Sequence, residues 1–271
     1  MSDSLLDSLL TPGGLSTVFQ PIFEVREDTS RLYALECLSR GPTGTNLESP
    51  DVLFDYARRK HAEERVDRAC VTTALRSARN LPGAPRLSIN VHATTLGRDH
   101  EFVSFLGDEA EACGIPLDRL IVEVVEHVYA WDEQAFLNVV EGLRAIGVQL
   151  ALDDIGRGHS NYRMILDCRP DYFKIDGYFV QGCRKDFYRQ AVLESIAGLA
   201  SKFAARVVAE AVEDSGDLST LVGLGIDLVQ GWLFGRAEPR PHRLLENPCS
   251  NPRRDNETGP PVADPTDLTP P

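Results

Sequence analysis

Short, nearly continuous apolar runs recur along this chain at intervals too regular for a random surface. Thr17–Phe23, Arg31–Leu38, Arg86–Val91, Leu120–Val125, Gln149–Leu152, Tyr172–Ile175, Arg206–Ala209 and Leu228–Gln230 each read as a strand. Most do not alternate apolar with polar, which is the pattern of a sheet covered on both faces. Between them the apolar spacing changes to three and four. It predicts helices over Pro50–Ser77, Glu101–Cys113, Asp132–Ile146, Asn161–Cys168, Arg184–Phe203 and Leu218–Leu224. Gly114 with Pro116, Gly147 and Pro170 supply stop signals.

Eight strands, mostly followed by helices, predict an α/β fold: a TIM-like (β/α)8 barrel. The turn Glu27-Asp-Thr-Ser30 leaves no room for a crossover helix. The first strand is therefore expected to be antiparallel, in a hairpin with the second. Residues 1–15 read as an N-terminal lead-in and 16–240 as the barrel. The segment 241–271, with 8 of the 17 prolines, reads as a disordered or loosely attached tail.

A chain of 271 residues with 42% apolar content supports one large core. Its net charge of −13 argues against binding long nucleic acid, but a small phosphate ligand stays open because bound cations reverse a local field. Six scattered cysteines without a C-x-x-C suggest a reducing cytoplasm. The first residues lack a basic, signal-like start, and no run approaches transmembrane length. The expectation is a cytoplasmic protein without membrane insertion.

The polar residues within these runs change the picture. Glu36, Asn90 and Glu123 sit in the second, third and fourth runs, Asp153 and Asp154 close the fifth, and Glu210 closes the seventh. If the runs neighbour one another in a barrel, these acids gather at the C-terminal ends of the strands, where burying them without cations is costly. Any one acid taken alone is more simply a cap, an ion-pair partner or a solvated group. Recurrence at the same place in successive units favours a divalent metal site, with Mg2+ or Mn2+ suited to carboxylate and amide oxygens. Adjacent acids on a strand point to opposite faces, so Asp153 and Asp154 share a pocket only if the strand ends and turns there, which Gly156 and Gly158 would allow. Asp153 could then bridge two cations, with Asp154 and Glu210 on the second, an arrangement suited to in-line phosphoryl displacement.

Lys174 and Asp176 flank Ile175 and share one side of their strand. Lys174 could orient a nucleophile, with a pKa depressed by a neighbouring cation, or simply neutralise surplus acid. Arg40 could fork onto a phosphate or a guanine edge, and Gln230 could hydrogen-bond a water or a base. The six histidines show no zinc spacing, and the phosphate-loop, dinucleotide and nucleophile-elbow motifs are absent.

These pieces together resemble the EAL domain family of cyclic di-GMP-specific phosphodiesterases over roughly residues 16–240. Glu36-Cys-Leu38 with Arg40 is similar to E-A-L-x-R, Gln20-Pro-Ile22 to the opening strand, and Ile89-Asn-Val91 to the asparagine segment. Val122-Glu-Val-Val-Glu126, Leu152-Asp-Asp-Ile-Gly156, Phe173-Lys-Ile-Asp176, Val208-Ala-Glu-Ala-Val-Glu213 and Val229-Gln-Gly231 follow in the family order. The resemblance implies hydrolysis of cyclic di-GMP to linear pGpG with one or two Mg2+ or Mn2+ per site. It implies metal ligation by Glu36, Asn90, Glu123, Asp153, Asp154 and Glu210, and catalytic roles for Lys174, Asp153, Asp154 and Glu210. Arg40, Asp176, Gln230 and Glu213 become substrate-side contacts, and Glu126 supports the loop after the acid pair, where Arg157, a departure from the family, could pair with it. A homodimer formed near that loop is also implied.

The chain departs from the family at several places. Cys37 and Ala211 replace an alanine and a glycine, the latter harmless unless the backbone needs a positive φ. Ile155, Arg157 and His159 replace an aromatic, a threonine and a tyrosine, and Val52–Ala57 matches its family segment weakly. The altered loop motivates an alternative, a cyclic di-GMP receptor or protein-interaction module. A barrel acting on another phosphodiester is a third reading. With no sensory domain apparent, control is expected from a protein partner in trans, from oligomerisation or from expression.

Overall fold

The computed structural model describes residues 4–26, 29–125, 132–156 and 161–241. Eight strands close into a barrel in sequence order: β1 (Ser16–Arg26), β2 (Thr29–Arg40), β3 (Arg86–His92), β4 (Leu120–Val125), β5 (Gln149–Ile155), β6 (Tyr172–Ile175), β7 (Arg206–Ala209) and β8 (Leu228–Val229). β1 is antiparallel to both β2 and β8, and the other neighbours run parallel. The reversed first strand expected from its short connection is present.

Ten α-helices are found among the described residues: α1 (Ser4–Leu9), α2 (Pro50–Arg59), α3 (Glu63–Ala78), α4 (Ala93–Leu96), α5 (Phe102–Cys113), α6 (Glu133–Ala145), α7 (Asn161–Cys168), α8 (Gly177–Val180), α9 (Phe187–Lys202) and α10 (Ser215–Gly223). The single helix expected over Pro50–Ser77 is two. The chain breaks at Lys60-His61-Ala62, where His61 takes φ 51°. No glycine or proline marks that break, and the apolar spacing runs across it. The short helices α4 and α8 carry too little periodicity to be read. The lead-in is part of the body: Leu6 and Leu9 of α1 are buried in a cluster with Leu53 and Ala57 of α2 and Val66 and Cys70 of α3.

The apolar runs divide into two faces with a period of two. Residues such as Leu35, Leu87, Val122, Leu150, Phe173 and Val207 point outward into the main core beneath the helices. Ile22, Ala34, Ile121, Ala151, Tyr172, Val208 and Leu228 point inward and form one packed layer in the barrel lumen. A plug of this kind makes the barrel a solid core rather than a pore, and it sets the floor of the site.

Candidate metal centre

One inward step above that floor, every strand delivers a polar side chain. Advancing two residues from Ala34, Ile121, Ala151, Tyr172, Val208 and Leu228 gives Glu36, Glu123, Asp153, Lys174, Glu210 and Gln230. On the reversed β1, two residues back from Ile22 is Gln20, which stands opposite Glu36 in the register. Asn90 stands opposite Glu123. The layer is thus dictated by strand periodicity and by the closed register, not by loop conformation.

Lys174, 2% exposed, lies at the centre. Its Nζ contacts Glu123 Oε1 and lies 2.7 Å from Glu210 Oε1, 3.2 Å from Asp153 Oδ1 and 3.6 Å from Glu36 Oε1. Burial alone would lower its pKa, but Asp153, Glu123, Glu210 and Glu36 outweigh burial and hold it well above the usual lysine range. The depression expected beside a bound cation is therefore not intrinsic to the pocket: without that cation the four acids govern Lys174. Burial, reinforced by Glu36, pushes Glu123 well above the carboxylate range, and burial with Asp153 raises Glu210. Glu36 goes the other way: burial is outweighed by Lys174 and the amides of Asn90 and Gln230, and its carboxyl is lowered.

Those amides define the rim. Asn90 Nδ2 donates to Glu36 Oε1 at 3.0 Å, and Gln230 Nε2 to Glu36 Oε2 at 2.6 Å. Ser88, two residues before Asn90, donates to Glu123 Oε2 at 2.9 Å. Gln230 is held by backbone bonds from its own N to Ala209 O and from Val212 N to its O, both 2.9 Å. The next residue must be glycine, since a Cβ at Gly231 would lie 2.2 Å from the Val212 backbone.

Asp153 and Asp154 reach the site differently from expectation. β5 does not end at Leu152; it continues to Ile155 with a register irregularity against β6. Asp154 itself takes φ 52°, which rotates its carboxylate out of the strand alternation. Asp153 Oδ, Asp154 Oδ and Glu210 Oε atoms come within 4.8 Å of one another, as do those of Glu36, Glu123 and Glu210. Two overlapping acid triads sharing Glu210 suit one or two hard cations. Among the described residues the buried Oε1 of Gln230 has no hydrogen-bond partner, an orphaned acceptor beside the same acids. Donor set and orphaned oxygen both fit Mg2+ or Mn2+.

Two cavities meet at this layer. One, of about 880 Å3, reaches Glu36, Asp153, Lys174 and Glu210 and is walled by Asp176 and Glu213. The other, of about 520 Å3, takes in Asn90, Asp153 and Asp154 and is walled by Phe54, Arg58 and His92. Asp176 also caps α8, accepting from Tyr178 N at 2.8 Å, and Glu213 accepts from Gln181 Nε2 at 3.4 Å. Arg40 lies at the end of β2, where its Nη1 donates to Ser39 O at 2.8 Å. Glu126 and Arg157 lie outside the described residues, as do Gly158 and His159.

Sequence reasoning passed over Ser88, which its spacing from Asn90 places on the inward face, and the aromatics Tyr178 and Trp232 of the larger cavity. Ala211 takes φ 52°, so the position where a glycine was expected does need the left-handed region.

A family model described as "EAL domain" matches residues 3–237. The chain is 29% identical over 233 residues to the cyclic di-GMP phosphodiesterase NbdA of Pseudomonas aeruginosa, covering 84% of this chain and 29% of that protein. It is 26% identical over 240 residues to the blue light- and temperature-regulated antirepressor BluF of Escherichia coli, covering 88% and 58%. Among solved structures, the manganese/cy-diGMP complex of Klebsiella pneumoniae BlrP1 at pH 9.0 superposes with a TM-score of 0.74 at 31% identity, covering 84% of this chain and 57% of that one. The chain spans less than two thirds of the length of each of these relatives.

Proposed function

The chain belongs to the EAL domain family, and from that premise we propose that it is a divalent-metal-dependent phosphodiesterase that hydrolyses cyclic di-GMP to linear pGpG. The observation that carries this reading is the convergence of four carboxylates, two amides and a lysine in one layer above the barrel floor. Relatives named as cyclic di-GMP phosphodiesterases, and BlrP1 bound to manganese and cy-diGMP, support it.

In this reading Glu36, Asn90, Glu123, Asp153, Asp154 and Glu210 hold one or two Mg2+ or Mn2+ ions, which supply Lewis-acid stabilisation of a phosphoryl oxygen and activation of water. Lys174, as an ammonium with three donors and no acceptor, positions the attacking water by donating to its oxygen. Gln230 fixes Glu36 and offers its free oxygen to the same water network. Asp176, Glu213 and Arg40 contact the substrate. Water adds to phosphorus, one ester oxygen departs as a hydroxyl, and the ring opens.

The functional unit is 16–240, with Leu6 and Leu9 of the lead-in packed against it; the tail assigned to 241–271 lies, after Pro241, outside the described residues. No helix among the described residues is long and apolar enough to cross a membrane, in keeping with a cytoplasmic setting. Tyr162 and Leu166, exposed four residues apart on α7, suit the homodimer; regulation by a protein in trans belongs to the same proposal.

Chromatography of cyclic di-GMP incubated with the protein and Mn2+ or Mg2+ tests the activity. Linear pGpG is expected; intact substrate under both metals refutes it. A second reading, a non-hydrolytic binding module, is favoured by the likeness to an antirepressor. It predicts saturable binding, of cyclic di-GMP or of a protein, without product.

A further inference from the structure

Two aromatic side chains stand where the metal layer opens outward. Tyr178 and Trp232 both line the larger cavity, and they are 68% and 53% exposed. Neither belongs to the polar layer, and neither is needed to fill the core.

Their backbones are anchored while their rings are left accessible. Trp232 follows Gly231, and the flanking residues bond Val212 on both sides: Val212 N to Gln230 O at 2.9 Å and Leu233 N to Val212 O at 3.1 Å. Tyr178 N is held by Asp176, its carbonyl accepts from Arg189, and Phe179 meets its ring edge-on at 5.2 Å. Each ring also carries a guanidinium. Arg236 lies 3.9 Å from the Trp232 centroid and Arg189 5.0 Å from that of Tyr178. A cation at that distance occupies one face of the indole and leaves the other for a flat partner. The two arginines also place positive charge beside a cavity whose charged lining is mostly acidic.

The topology places both rings at one side of the cavity mouth. Tyr178, in α8, follows β6, and Trp232 follows β8, with β7 between them. A preorganised aromatic pair of this kind recognises the π-face of a base at little ordering cost.

We propose that Tyr178 and Trp232 stack on one purine base of the substrate and set its position relative to the acid layer. This deepens the phosphodiesterase reading and rests on it. The acids would engage the phosphodiester while the aromatics hold the base, so affinity would depend on the rings even when no cation is present.

The test is equilibrium titration of the whole chain with cyclic di-GMP in EDTA, and again with Ca2+, read both by calorimetry and by indole emission. The chain has two tryptophans, so a Trp131→Phe background reports Trp232 alone. Quenching of Trp232 that tracks the calorimetric saturation is expected. Trp232→Ala and Tyr178→Ala should each weaken binding by roughly 5- to 150-fold, with Trp232→Phe and Tyr178→Phe restoring most of it. Circular dichroism verifies that each variant is folded. Saturation without an emission change, or alanine variants that bind like the parent, overturns the stacking and leaves the phosphodiesterase reading standing. A parent that fails to bind cyclic di-GMP under either condition overturns both.

Discussion

Gln230 Nε2 donates to Glu36 Oε2 at 2.6 Å, joining the residue after β8 to β2, the two strands that flank β1. The same amide leaves its Oε1 buried without a partner among the described residues. Gln230→Ala removes the donor that helps keep Glu36 ionised, and with it the orphaned acceptor. We expect roughly tenfold weaker Mn2+ binding by calorimetry, in the range set by groups that orient metal ligands. Unchanged affinity would mean that Gln230 does not support the site.

Lys174 is the internal counter-charge of the acid layer. Lys174→Met leaves buried carboxylates without it, at a cost of about 3–5 kcal/mol as for other broken buried pairs. Thermal denaturation in EDTA should show the loss. Saturating Mn2+ should recover much of it, because a ligand bound only by the folded state stabilises that state. Equal loss with and without Mn2+ would separate Lys174 from any cation.

Ala211 carries strain that its sequence position hinted at and its backbone makes concrete. A non-glycine residue at φ 52° costs about 1–2 kcal/mol, against about 0.4–1 kcal/mol of unfolded-state entropy gained on replacing alanine by glycine. Ala211→Gly should therefore raise stability by about 0.5–1 kcal/mol in urea denaturation. A loss of stability would contradict the balance.

The opposite end of the barrel sets the acid limit. Glu24, 4% exposed, pairs with Arg31 and, at 2.7 Å, with Arg206. Burial raises its pKa, but the two arginines outweigh it and hold the carboxyl below the usual carboxylate range. A lowered folded pKa gives stability that is present above the unfolded value and lost as pH falls through the folded one. Denaturant midpoints should drop below about pH 4.3, the unfolded glutamate value, and Glu24→Gln should be less stable at neutral pH with a shallower acid slope. An unaltered slope would place the acid-sensitive group elsewhere.

Much of this architecture was legible beforehand, for identifiable reasons. The bounds of Tyr172–Ile175 and Arg206–Ala209 agree with the sequence because short, mostly apolar runs are flanked there by polar residues or turns. The acids of Glu36, Glu123, Asp153 and Glu210 were visible because each interrupts or closes such a run. The break at His61 was not, since nothing in Lys60-His61-Ala62 forbids a continuous helix and tertiary packing alone decides it. The route by which Asp154 turns inward was also hidden: a left-handed aspartate inside a strand is a choice of the whole barrel, not of the local sequence. Tyr178 and Trp232 escaped because an aromatic after an apolar run reads as core until its exposure is known.

In the proposed reading, side chains from four strands, β2 to β5, and from the end of β7 enclose divalent cations. Anomalous diffraction at the manganese edge from crystals grown with Mn2+ tests it most directly. One or two manganese peaks within coordination distance of Glu36, Asn90, Glu123, Asp153, Asp154 and Glu210 are expected. A saturated crystal with no peak inside that ring of residues, or with manganese bound only elsewhere on the protein, would contradict it.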